Sequence, residues 1–490
     1  MPFNSYHFIF FFLPIVILSL FFVQVYFKIK GLPILIIVFF SLFFYAYDSY
    51  KFLFILLFSI FINYLVSLKI DNVKKKNIKK LNLFFIIIFN FLILVYFKYY
   101  NFFIENLSVF FSKKNINYIE IYLPLAISFF TFQQISYQVD NFRIKQKKNI
   151  MNYLLYVSFF PQLIAGPIIR YSHFLSEIIK KKFLKIDHKN LSIGLSIIVL
   201  GLFKKVVLAD TAGLYVDGLY NQIYNGYNVN GFDLLLFIIF FSVQIYFDFS
   251  GYSDIAVGIA KILNFNFPIN FNSPYKALSI IDFWKRWHIT LSQFFRDYFY
   301  IPLGGNQNIF VVKFILIIFV MTVVGLWHGA SNNFVVWGLL HGILISSNHL
   351  INKINFKILD KIIIPKIIKI FFTFMLVAIA FVFFRVENLH QSLNIIIGAF
   401  SFDNYFYNSY FISEISNVKK FTMVLSLFII FFMPNVFQIF DLKLINLKKI
   451  DKNNKIIFET NYIWVCSIVL IFIWSLTSLN LPSVFIYFRF

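Results

Sequence analysis

The chain has 490 residues, of which 60% are apolar, 22% aromatic and only 13% charged, and its mean hydropathy is +0.78. A soluble domain carries about 25% charged residues, so this composition excludes an ordinary globular domain, a disordered chain and a soluble enzyme on a single anchor. In a membrane protein the net charge of +23 points to lysines retained on the cytoplasmic side rather than to nucleic acid.

The apolar residues come in runs of roughly 16–21, the length that crosses about 30 Å of hydrocarbon. Spans are predicted near 7–27, 32–47, 51–68, 81–100, 119–139, 191–208, 233–250, 309–327, 334–352, 367–384, 421–440 and 462–479. The first run is too long for a signal-peptide core and no small-residue cleavage site follows it, so it reads as a retained span. The segments 153–170 and 276–300 read as re-entrant or interfacial. The expected fold is all-α, a polytopic integral membrane protein of about 11–13 transmembrane helices with added re-entrant or interfacial helices. It is expected to form one membrane domain over 1–490. Scaffold spans occupy 1–118, a catalytic core 119–352 and C-terminal spans 353–490.

Lysine and arginine test the orientation. They cluster at 69–80, 143–148, 180–189, 353–369 and 443–455, and these five clusters hold 25 of the 44 basic residues. Alternating the spans puts all five on one side, provided 149–179 does not cross fully. The connections 209–232 and 386–418 contain no Lys or Arg. The positive-inside rule then places the basic loops in the cytoplasm and both termini outside. Cys466 is the only cysteine, which excludes an intramolecular disulfide and a thiolate metal cluster.

Region 143–306 interrupts the rhythm of spans with glycine, proline and charge. Irregular backbone at membrane depth survives only where protein or water satisfies it, so the site is expected in this middle region, with the first four spans as scaffold. In Phe160-Pro-Gln…Ala165-Gly-Pro167, two prolines and a glycine suggest a re-entrant turn, with a kinked span as the alternative. Phe247-Asp-Phe-Ser-Gly-Tyr-Ser-Asp254 reads as a broken helix lining a cavity, or as a helix junction capped by Ser250 or Ser253. The capped junction is the preferred reading.

Asp282-Phe-Trp-Lys-Arg-Trp-His288 suits an interfacial helix, its aromatics at headgroup level and its cations outward. It equally suits a site where Lys285, Arg286 and Arg296 hold the phosphates of an anionic donor. Trp327-His328-Gly329 ends an apolar span. A neutral imidazole is the natural general base near pH 7, and Gly325 and Gly329 would let a substrate approach the backbone. A histidine hydrogen-bonded between helices is the competing reading. His341 reads as a packing residue. No G-x-S-x-G elbow, H-E-x-x-H site or Walker A loop occurs, and Cys466 sits mid-span far from the other motifs, so metal, ATP and covalent thiol mechanisms fall away and no metal site is expected.

Taken together these stretches resemble the membrane-bound O-acyltransferase family, in its bacterial branch that O-acetylates alginate and peptidoglycan. The likeness lies in Leu123-Pro-Leu-Ala-Ile-Ser-Phe-Phe-Thr-Phe-Gln133, Gly201-Leu-Phe-Lys-Lys205 and Asp248-Phe-Ser-Gly-Tyr-Ser-Asp254. It continues through Phe283-Trp-Lys-Arg-Trp-His288, Tyr300-Ile-Pro-Leu-Gly-Gly305, Gly325-Leu-Trp-His-Gly-Ala330 and the final Phe485-Ile-Tyr-Phe-Arg-Phe490. One position departs: Asn332 stands where the family usually has tryptophan.

The resemblance implies that His328 is the catalytic histidine and His288 the second polar position. It implies acetyl-CoA as a cytosolic donor, with no permanently bound cofactor. It implies an outer SGNH-type acetyltransferase partner and an extracytoplasmic polysaccharide acceptor, peptidoglycan or alginate-like, at the inner membrane. On this reading His328 is the general base, or a transient acetyl carrier, and His288 orients the donor or the reacting group. Two alternatives stand beside it: D-alanyl transfer to teichoic acid from a carrier-protein thioester, and a polysaccharide transporter or exporter.

Overall fold

The computed structural model describes residues 1–27, 29, 31–47, 50–111, 119–164, 166–180, 182–353, 365–401, 409–442, 458–459, 461–479 and 485–486. Every regular element among them is helical. Eight helices are long and apolar enough to cross a membrane: His7–Tyr26, Tyr50–Asn72, Lys76–Ser108, His188–Tyr224, Gly231–Ile262, Phe310–His328, Asn332–Lys353 and Lys366–Arg385. Leu32–Ala46 and Tyr462–Thr477 are shorter apolar helices. The chain is a multi-pass membrane protein of all-α class.

Several expected elements differ in detail, each for a local reason. The run at 119–139 becomes Ile127–Arg143, a 17-residue helix with twelve residues buried, among them Gln133, Gln134 and Gln138; its amides face protein, not lipid. The run at 421–440 divides into Asn417–Phe432 and Val436–Ile439, because Pro434 cannot continue a helix and Asn435 caps the next one. The span expected to end at 208 runs on to Tyr224 through a π-helical stretch at Phe203–Ala209.

The junction expected at Asp248–Asp254 is absent. Gly231–Ile262 is one continuous helix of 32 residues, so Ser250 and Ser253 lie in a helix interior and cap nothing. Its carboxylates have cationic partners instead: Lys204 lies 2.6 Å from Asp254, and Lys205 lies 2.5 Å from Asp248 and 2.8 Å from Asp210. With the charges paired across helices, no broken backbone is needed to satisfy them.

Contacts divide the chain into two compact units. The first is Met1–Ile198 with Ala256–Phe267. Its Tyr50–Asn72 helix carries buried Ser59, Asn63 and Ser67 four residues apart on one face. Asn63 and Asn90 exchange reciprocal amide hydrogen bonds of 3.1 and 2.9 Å. Gln134 donates to Ser59 at 2.9 Å and Gln138 to the Asn63 carbonyl at 2.6 Å. Such interhelical bonds contribute about 0.6 kcal/mol each within a membrane. The helices Ile150–Ser158, Phe160–Leu163 and Tyr171–Ile178 have nine, four and eight residues, too few to span, since crossing takes about 20. Ala165 of that stretch lies outside the described residues, as do positions 354–364 and 443–457, which carry much of the last two basic clusters.

The second unit is Val199–Ile255 with Pro268–Phe490. At its centre Phe310–His328 and Asn332–Lys353 form an antiparallel hairpin joined by three residues. Small residues set their separation: a Cβ on Gly325 would stand 2.1 Å from the Phe334 carbonyl oxygen, and one on Gly338 2.3 Å from that of Met321. This is close small-residue packing of the kind that holds membrane helices together. It fixes His328, the last residue of the first helix, against Trp337 of the second.

Candidate active site

His328 is 3% exposed. Its ring meets three others: Trp327 at 4.8 Å, Trp337 at 5.2 Å and Phe384 at 5.2 Å between centroids. Gly325 and Gly329 do not open a path to it. A Cβ on Gly329 would fall 2.0 Å from the Phe334 ring, so protein occupies the space expected for substrate. The glycines serve packing, which corrects that part of the sequence reading.

His288 is wholly buried. It sits between two short helices, Ile280–Trp284 and Ile289–Phe295, with left-handed backbone at φ 40° and ψ 55°. Two main-chain hydrogen bonds clasp this turn: Ile289 N–H donates to the Asn270 carbonyl and Asn272 N–H to the Arg286 carbonyl, each at 2.9 Å. The imidazole packs edge-on to Phe249 at 4.7 Å and lies 6.2 Å from Trp327. Burial pushes its pKa far down, to about 3, so the ring is neutral throughout the physiological range.

The two motif histidines therefore flank one indole, Trp327. The series continues past His328. Trp337 lies 4.7 Å from His341, and His341 lies 5.2 Å from Trp284 and accepts a hydrogen bond at Nδ1 from its indole N–H at 3.3 Å. Imidazole and indole alternate through six rings, from His288 to Trp284. His341, read from sequence as a packing residue, belongs to this same cluster. This enclosure of aromatic rings disfavours the charged form of the His288 imidazole.

The three cations expected to meet a donor all lie on the 285–296 segment, in unlike environments. Lys285 is exposed. Arg286 is half-buried, pairs with Asp282 at 2.9 Å and reaches the Asn272 carbonyl at 3.5 Å. Arg296 makes a two-point pair with Asp297 at 2.7 and 3.1 Å, which raises its pKa further. Lys276, not singled out from sequence, donates to the Met433 carbonyl at 2.7 Å. Burial and then the neighbouring Arg286 charge lower its pKa.

The Asp248–Asp254 stretch also reaches the site. Phe249 touches His288, while the Ile486 N–H donates to Asp248 Oδ2 at 2.8 Å and the Phe485 ring lies 4.2 Å from Tyr252. The remaining C-terminal motif residues, 487–490, lie outside the described residues. Sequence reasoning missed Asn270, Trp337 and Phe384; no motif marks them, and only the fold brings them to the histidines.

Residues 137–386 match the profile of the membrane-bound O-acyltransferase family. The chain is 40% identical over 426 residues to a peptidoglycan O-acetyltransferase of Helicobacter pylori, covering 81% of this chain and 79% of that protein. It is 34% identical over 412 residues to a probable alginate O-acetylase AlgI of Pseudomonas syringae pv. tomato, covering 83% and 76%. It is 29% identical over 280 residues to a teichoic acid D-alanyltransferase of Bacillus subtilis, covering 54% and 70%. The matched region contains the buried histidines and most of the aromatic cluster around them, and the chain belongs to the membrane-bound O-acyltransferase family as a multi-pass acyltransferase.

Proposed function

We propose that this acyltransferase moves acetyl groups from cytosolic acetyl-CoA to the O-acetylation of an extracytoplasmic polysaccharide, with peptidoglycan as the acceptor. The support is the 40% identity to a peptidoglycan O-acetyltransferase across four fifths of each chain. The observation that carries the chemistry is the pair of buried imidazoles on either side of Trp327.

His328 and His288 are the catalytic residues of this reading. In acetyl transfer a hydroxyl oxygen attacks the thioester carbonyl, the C–S bond breaks, and the hydroxyl proton ends on the sulfur. A neutral His288 imidazole carries that proton without net uptake or release. Exposed Lys285 faces the phosphates of the coenzyme, with Arg286 and Arg296, already paired with carboxylates, contributing less. The acetyl group leaves the outer face through an SGNH-type partner. The basic loops are cytoplasmic and both termini lie outside, in the inner membrane.

Purified protein in proteoliposomes is expected to release free thiol from acetyl-CoA without any carrier protein, and His328→Ala to lose this release. D-alanyl transfer is the second reading, favoured by the likeness to the Bacillus subtilis protein, which covers only 54% of this chain. Thiol release that requires a D-alanyl-loaded carrier protein would replace the first reading with the second.

A further inference from the structure

The hydrogen bonds around Asn270 determine which nitrogen of His288 carries the proton. Asn270 is wholly buried. Its Oδ1 lies 3.1 Å from His288 Nδ1, 2.9 Å from Thr290 Oγ1 and 3.4 Å from the Thr290 main-chain nitrogen. A main-chain N–H only donates, so the amide atom facing it is the oxygen. The flipped amide would set donor against donor. An amide oxygen only accepts, so the His288 nitrogen beside it is Nδ1–H. The lone pair of the neutral ring is then on Nε2.

His288 Nε2 is buried and has no hydrogen-bond partner among the described residues. A buried acceptor without a donor is costly in a finished structure and suits an atom that meets its donor on the substrate; the Asn270 Nδ2 is likewise without a partner among the described residues. Asn270 also holds the main chain at this point, since its carbonyl accepts from Ile289 N–H at 2.9 Å across the left-handed His288 turn. One residue thus fixes the tautomer of the ring and the backbone that aims it. This is the arrangement of a base and its orienting partner.

We propose that Asn270 is a positioning residue that locks His288 as the Nδ1–H tautomer and presents Nε2 to accept the proton of the attacking hydroxyl. The proposal rests on the acyl-transfer reading of the site. Nε2 takes the proton as the new C–O bond forms. The proton passes to the departing sulfur as the C–S bond breaks, and the ring ends as it began. This gives His288 a larger part than orienting the reacting group.

The direct test is the tautomer itself. Protein labelled with ¹⁵N-histidine is reconstituted in proteoliposomes, and the His288 signals are identified by their loss in His288→Gln. The expected spectrum at neutral pH has a protonated Nδ1 and a bare Nε2, a pattern kept in Asn270→Asp and lost in Asn270→Leu. A protonated Nε2 in the unaltered protein would overturn the proposal. The kinetic arm measures thiol release from acetyl-CoA. Asn270→Leu is expected to lower kcat on the order of 10²-fold or more with KM little changed. Asn270→Asp is expected to stay within about tenfold, its acidic limb moved upward because a carboxylate strengthens the ring as a base. Equal loss in both variants, or no loss in either, would overturn it. If Asn270→Leu does not fold, Asn270→Asp and the unaltered spectrum decide. If the unaltered protein releases no thiol from acetyl-CoA, the donor reading has failed, and the spectrum still tests the tautomer.

Discussion

The Lys205 ammonium lies 2.5 Å from Asp248 Oδ1, and both side chains are almost completely buried. They join two helices, His188–Tyr224 and Gly231–Ile262. Removing one member of a buried ion pair strands the other, which costs about 3–5 kcal/mol. Lys205→Met is therefore expected to lower the thermal midpoint of the detergent-solubilised protein sharply. Adding Asp248→Asn is expected to recover part of the loss. Unchanged midpoints would show that the pair does not hold these helices.

The hairpin that carries His328 depends on close backbone approach. A Cβ at Gly325 has no room beside the Phe334 carbonyl, and overpacking a tight contact costs about 1–3 kcal/mol. Gly325→Ala is expected to move His328 relative to Trp337 and to lower acetyl transfer more than it lowers stability. Full activity in a folded Gly325→Ala protein would count against the precise seating of His328 in this hairpin.

The pH behaviour of His288 follows from its burial. Its pKa falls from 6.5 to about 3 on folding. Between these values the unfolded chain binds a proton that the folded chain does not. Stability from this residue is constant above pH 6.5 and falls as pH drops through the window, by about 1.4 kcal/mol per pH unit. Thermal midpoints at pH 7 and pH 5 should separate further in the unaltered protein than in His288→Gln. Parallel shifts would show that His288 is not held neutral.

The cations beside the site are not equivalent. Arg286 and Arg296 already face carboxylates, whereas Lys285 is exposed. Lys285→Ala is expected to raise the KM for acetyl-CoA several-fold with kcat kept. Arg296→Ala is expected to change it little. The reverse order would move the donor phosphates to the Arg296 end of the segment.

Much of the fold is legible in the sequence because hydrocarbon thickness sets the length of apolar runs. Ten of the twelve expected spans meet apolar helices at those positions. The interior of Gly231–Ile262 was not legible, because Ser250 and Ser253 beside carboxylates look like helix caps, and the cations that remove the need for caps come from the preceding helix, 50 positions away in the case of Lys204 and Asp254. The same limit applies at Asn270. Asn264, Asn266, Asn270 and Asn272 share one phenylalanine-rich stretch, with nothing local to separate them. Their partners do: Asn266 meets Glu177 at 3.1 Å, Asn272 meets Asn435 at 2.9 Å and Asn270 meets His288 at 3.1 Å. His288 and His328 were legible through their Trp-His motifs. The fold adds that Trp327 stands between them and that His341 extends the series.

The most direct test of the proposed function is base-labile acetate on isolated peptidoglycan, compared between cells carrying the unaltered gene and cells carrying His328→Ala at the same protein level. Loss of acetate from the peptidoglycan of the His328→Ala cells is the expected result, and it ties the reaction, the acceptor and the residue together. Acetate unchanged in those cells would contradict the assignment of His328 as the catalytic residue for this polymer.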